Sequence, residues 1–142
     1  PHKAKAPSPK RRAMAQQMQT LIAAAAAGDV LSFTDGSHDC DRGRTGGGVS
    51  IFRGGAPISR HSFALAGSTN NEAELFTIGA CIDRLLSLVT DGYLPSTANF
   101  HIFTDSEYCY NLLMGNNTPH TNIHLVHHVI RKLQALESLA PN

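Results

Sequence analysis

Three short stretches carry the residues able to do chemistry. Phe33-Thr34-Asp35-Gly36-Ser37 ends an apolar run on a carboxylate, and Phe103-Thr104-Asp105-Ser106 repeats that pattern farther along. Between them, Thr69-Asn70-Asn71-Glu72-Ala73-Glu74-Leu75 puts an acid pair in the first turn of an expected helix. An acid at the end of a buried strand is costly unless a metal ion or a partner neutralises it. Acids delivered by three separate elements point to one divalent-metal site.

The elements that must position these acids can be read in order. A helix is expected over Arg11 to Ala27, stopped by Gly28-Asp29, and a first strand over Val30 to Thr34. Ser37 to Thr45 reads as a polar loop. A second strand, Val49 to Arg53, and a third, Pro57 to Ala66, are joined at Gly54-Gly55 and expected to be antiparallel. Asn70 and Asn71 are expected to cap a helix reaching about Val89, with Leu75, Ile78, Ile82, Leu85, Leu86 and Val89 at helical spacing. A fourth strand, Ala98 to Thr104, precedes a short helix from Ser106 to about Met114. Asn122 is expected to cap a last helix to about Leu139, with Ile123, Val126, Ile130, Leu133 and Leu136 buried. This order of three strands, a helix, a strand and two helices predicts a mixed α/β layer fold.

The length, 142 residues, fits one domain, and no apolar run is long enough to span a bilayer. The net charge of +1 conceals an asymmetry. Without Lys3, Lys5, Lys10, Arg11 and Arg12, seven basic residues face eleven acidic ones, so the remainder is near −4. That balance repels phosphate unless metal ions and the basic arm compensate. Residues 1–28 read as a basic arm, disordered over Pro1 to Lys10, followed by an Ala-rich helix; residues 29–142 read as the folded domain. Cys40, Cys81 and Cys109 have no CxxC spacing, so reduced thiols and an intracellular location, cytoplasm or nucleus, are expected. Pro1 in place of Met points to a piece of a longer polypeptide.

Together, in this order and on these elements, the three motifs closely resemble the type 1 ribonuclease H family, including the RNase H domains of reverse transcriptases. The resemblance covers residue 29 to about 138. It implies hydrolysis of the RNA strand of an RNA–DNA hybrid with two Mg²⁺ ions, Mn²⁺ being able to substitute, and a fused or associated reverse transcriptase domain as partner. The chemistry agrees. Phosphodiester cleavage needs an activated water, charge neutralisation at the phosphate and a stabilised leaving oxygen, and two hard cations held by oxygen ligands supply all three.

Under this resemblance Asp35 bridges the metals, with Glu74 and Asp105 completing the cage. Glu72 competes with Glu74, but two helical positions are separated by about 200°, so both cannot face one site. Glu74 heads the apolar line Ile78, Cys81, Leu85, and the family pattern Asn-Asn-x-x-Glu-Leu selects it; Glu72 is a first-turn acid favoured by the helix dipole. Asn70 and Asn71 match positions that read RNA 2′-hydroxyls. Thr69 and Asn122 resemble a pocket for a DNA-strand phosphate. Gly36, Ser37 and His38 offer backbone amides beside the scissile strand. The Gly46 to Gly48 run suits a close backbone approach or a hairpin leader. His120, His124, His127 and His128 read as a solvent-facing stripe, and His101 as a sheet residue.

Two departures stand against the family pattern. Asp39-Cys40-Asp41-Arg42-Gly43-Arg44 replaces the usual Asn-Pro-Gly stretch, and the family's fifth strand and last helix, with a fourth aspartate, are missing before Asn142. The short Gly115 to Thr121 loop lacks a basic, tryptophan-bearing protrusion. Apolar surface is therefore expected on one sheet edge and on the helices beneath it. The competing readings are a catalytically impaired nucleic-acid-binding or structural domain of a retroelement polyprotein, and another nuclease of the same superfold.

Overall fold

The computed structural model describes residues 9–39, 44–65, 69–119 and 121–142. Its elements run α1 (Pro9–Ala24), β1 (Val30–Asp39), β2 (Arg44–Arg53), β3 (Ala56–Leu65), α2 (Asn70–Thr90), β4 (Phe100–Thr104), α3 (Glu107–Leu113) and α4 (Ile123–Leu139). The strands form one mixed sheet in the order β3-β2-β1-β4. Both hairpin pairs are antiparallel, and β4 lies parallel to β1, reached through the α2 crossover. This is the α/β architecture expected.

Period-two burial builds the core. Val30, Ser32 and Thr34 of β1 are buried beside Ile51 and Val49 of β2, on the face that meets α2. From α2 this layer receives Leu75, Ile78, Cys81, Ile82 and Leu85. Among the described residues the Ser32 hydroxyl has no nitrogen or oxygen partner; its company is the Cys81 thiol, a weak one. Helix α4 packs on α2, and a Cβ on Gly79 would lie 3.4 Å from Val129. Val129 is accordingly buried, whereas Ile123, expected in that line, is 45% exposed at the open start of α4.

The boundaries differ in instructive places. The expected polar loop Ser37 to Thr45 lies partly in a ladder, with Ser37 opposite Gly46 and Asp39 opposite Arg44. Gly54 and Gly55, both at positive φ, form the tight turn expected between β2 and β3. Helix α1 begins at Pro9, inside the stretch expected to be disordered, and proline suits the first helical position. The rest of that stretch, residues 1–8, lies outside the described residues, as do His120 and the core of the departing loop at 40–43.

On the opposite face, Phe33 stacks on Phe103 with ring centres 5.1 Å apart and meets Phe52 edge-on at 5.8 Å. Ala15, Met18 and Leu21 of α1 line a cavity together with Phe33 and Phe103 of this aromatic surface. The end of α1 is seated at the β2–β3 turn, where a Cβ on Gly55 would be 3.8 Å from Ile22. At the β4 edge the Phe100 N–H donates to the Asn142 carbonyl at 2.8 Å.

Candidate active site

The first two carboxylates are positioned by a parallel strand pair. Thr34 of β1 sits opposite Thr104 of β4, and the Thr34 hydroxyl donates to the Phe103 carbonyl at 3.0 Å. Asp35 and Asp105 follow directly on each strand. Both are exposed, and both line one cavity of about 570 Å³ with Phe33, Phe103, Gly48 and Ser50. Asp105 is held in a short turn. The Thr104 hydroxyl accepts from the Ser106 N–H at 3.1 Å, and the Ser106 hydroxyl accepts from the Cys109 N–H at 3.1 Å, capping α3.

Glu74 reaches the same end of the sheet from the α2 side. The first turns of α2 sit on paired glycines, Gly36 of β1 opposite Gly47 of β2. A Cβ on Gly36 would be 2.6 Å from the Glu74 nitrogen and 2.7 Å from the Ala73 carbonyl carbon; one on Gly47 would be 2.1 Å from the Thr77 hydroxyl. Only glycine allows α2 to descend this far, and the contact sets Glu74 beside the residue that follows Asp35. The glycine run is thus taken up by packing within the protein at Gly47.

A buried thiol registers two of the acids at once. Cys109 is pushed up to about 11 from 9.0, first by burial and opposed by its hydrogen bond with Ser106, then further by the charges of Glu74 and Asp105. Asp105 is therefore the common member: it shares a cavity with Asp35 and a thiol with Glu74. Among the described residues, no three acidic, His or Cys side chains are already drawn around one point.

Glu72, the other acid of the pair, is engaged at the start of its own helix. Thr69, not Asn70 or Asn71, is the N-cap of α2: its hydroxyl accepts from the Glu72 N–H at 3.2 Å and lies 3.3 Å from the Glu72 carboxylate. Glu72 is occupied with its own helix start. The Thr-x-x-Glu spacing at 69–72 is the sequence signal for that cap. Asn70 and Asn71 are instead the first helical residues, both exposed. Asn122 is left-handed at φ 54° and makes no side-chain cap bond, so its side chain is not spent on α4. Ser37 and His38 occupy β1 beyond the last β4 pairing. His124, His127 and His128 are exposed, and His101 lies in β4.

A family model, RNase H, matches residues 27–137. The chain belongs to the RNase H family. It is a ribonuclease H, of a family that cleaves RNA–DNA hybrids and uses divalent metal ions. Among solved structures it is similar to LC11-RNase H1, isolated from compost and solved with an RNA/DNA hybrid (20% identity, 80% of each chain covered, TM-score 0.65). It is also similar to RNase H1 of Halobacterium salinarum (19% identity, 79% of each chain, TM-score 0.59). A third is the N-terminal RNase H domain of a Mycobacterium tuberculosis protein (20% identity, 80% of this chain and 76% of that one, TM-score 0.61). At these identities the likeness is one of fold. A comparison with curated protein sequences finds no match.

Proposed function

We propose that this RNase H cuts the RNA strand of RNA–DNA hybrids internally, with Asp35, Glu74 and Asp105 as the carboxylates that hold two divalent ions, Mg²⁺ or in its place Mn²⁺. The observation that carries the reading is the seating of α2 on Gly36, which brings Glu74 to the strand ends bearing Asp35 and Asp105. The donor set fits such ions: three carboxylates, hard oxygen ligands, with two opening into a shared cavity. Bound there, divalent ions neutralise the phosphate, activate water and stabilise the leaving oxygen.

The chain's own residues orient the substrate. Asn70 and Asn71, exposed on the turn that carries Glu74, present amide donors and acceptors suited to RNA 2′-hydroxyls. Thr69 and Asn122 serve a phosphate of the DNA strand; the unspent Asn122 side chain supports that role. β4 pairs with β1 only as far as Thr34–Thr104, so the backbone of Gly36, Ser37 and His38 has no β4 partner on that edge and can approach the scissile strand.

The test is cleavage of an end-labelled RNA–DNA hybrid with Mg²⁺ or Mn²⁺. Internal RNA fragments from the native chain, absent with Asp105→Asn, are expected. Retained hybrid binding without cleavage would overturn the reading in favour of a binding domain.

A further inference from the structure

The first turn of α1 is strongly basic. Lys10, Arg11 and Arg12 are consecutive cations, and no acid precedes Asp29 to pair with them along the helix. The helix dipole is positive at this end, so the cations also oppose their own helix. A solvated tail explains the charge but not its position.

That position follows from the anchoring of α1. Ile22 sits at the Gly54–Gly55 turn, the end of the sheet where Arg53 pairs with Val30. Leu21, Met18, Gln17 and Ala15 then line the cavity shared with Phe33, Asp35 and Asp105. Helix α1 therefore runs from the acid-bearing end of the sheet at its start to the turn end at its finish. From Ile22 back to Arg11 is about 16 Å of helix. From Val30 to Asp35 is about 16 Å of strand. The basic turn thus comes level with the carboxylates, on the far side of the cavity from α2. The remainder of the domain is near −4, and Asp35 and Asp105 line the cavity at this end.

We infer that the basic turn of α1 is part of the substrate surface, binding backbone phosphates of the nucleic acid that lies across the carboxylate end. The partner is a polyphosphate strand, contacted without regard to base sequence. This rests on the hybrid-cleaving reading above and adds to it an element that contributes affinity rather than chemistry.

The test uses the full chain and a fluorescein-labelled RNA–DNA hybrid of about one helical turn, with anisotropy titrations in Mg²⁺ from about 50 to 200 mM KCl. Binding is read in an Asp105→Asn background so that the hybrid stays intact. The triple variant Lys10→Gln, Arg11→Gln, Arg12→Gln is expected to bind at least tenfold more weakly at the lowest salt. Its plot of log affinity against log salt should be shallower by about two to three, one for each lost phosphate contact. In the native background kcat at saturating hybrid should stay within twofold while KM rises. Arg11→Lys with Arg12→Lys should restore affinity, separating charge from helix integrity. Equal affinity and equal salt slope in the triple variant would overturn the inference while leaving hybrid cleavage intact. A native chain that neither binds nor cuts hybrid would overturn both.

Discussion

Gly36 and Glu74 are in backbone contact: a methyl group on Gly36 would stand 2.6 Å from the Glu74 nitrogen, with 2.7 Å to the Ala73 carbonyl carbon and the Glu74 Cα. None of these neighbours is a flexible side chain, so the helix itself must move to admit one. Gly36→Ala is expected to destabilise the fold by about 1–3 kcal/mol through overpacking. It should also reduce hybrid cleavage by more than the unfolded fraction accounts for, because lifting α2 moves Glu74 from the strand ends. Urea unfolding with initial rates at one temperature checks both. Normal cleavage in a stably folded variant would remove the contact from the mechanism.

The two acids of α2 should separate cleanly by function. Asp35→Asn, Glu74→Gln and Asp105→Asn are each expected to lower cleavage by at least about 10²-fold, since several kcal/mol of transition-state stabilisation depends on the metal site. Glu72→Gln should leave the rate within a few fold, because Glu72 serves the Thr69 cap. Thr69→Ala is expected to cost about 1 kcal/mol of stability. A severe rate loss in Glu72→Gln, equal to that in Glu74→Gln, would reverse the assignment.

Divalent ions should stabilise the native chain. Ligand at a hundred times its dissociation constant adds about 2.7 kcal/mol to a one-site protein, a Tm rise of several degrees at this size. Removal with EDTA should reverse the rise. Asp105→Asn should unfold no earlier than the native chain without metal, since one of three like charges is gone, and should lose most of the Mg²⁺ response. Identical Mg²⁺ shifts in both proteins would place the ion elsewhere.

The buried thiols predict an alkaline decline in stability. Burial pushes Cys81 up to about 12 and Cys109 up to about 11 from 9.0. The unfolded chain gives up these protons first as pH rises past 9, so above that point it binds fewer protons than the folded chain. The stabilisation is complete below pH 9 and is lost through the interval up to about 11–12. Thermal unfolding across that range should show a falling Tm, with a gentler slope in Cys81→Ala. Parallel curves for the two proteins would rule out this source.

Much of the fold was legible because it is written locally. Helix α2 shows apolar residues at helical spacing, the Gly54-Gly55 turn lies between alternating strands, and Ser106 stands where α3 needs a cap. The errors have physical causes. Ser37 to Thr45 looks like a loop by polarity, but cross-strand hydrogen bonds to β2 extend the ladder through part of it. Asn70 and Asn71 are good caps, yet Thr69 one step earlier satisfies the Glu72 N–H. Ile123 belongs to the apolar line of α4 by spacing, while packing against Gly79 of α2 selects Val129 instead.

The candidate site divides in the same way. Residue types and order alone determined the three acid-bearing motifs, their family and the preference for Glu74, because these depend on identity and on spacing within single elements. Only the tertiary structure decided that Gly36 and Gly47 form the floor under α2, that Asp105 is common to both sides of the site, and that α1 lines a cavity together with Phe33, Phe103, Asp35 and Asp105. Each of these relates segments far apart in the chain, and the glycine floor is set by how closely two surfaces can approach. Helix and strand periodicity says which face of an element is apolar; which neighbour covers that face is decided when all the elements pack at once.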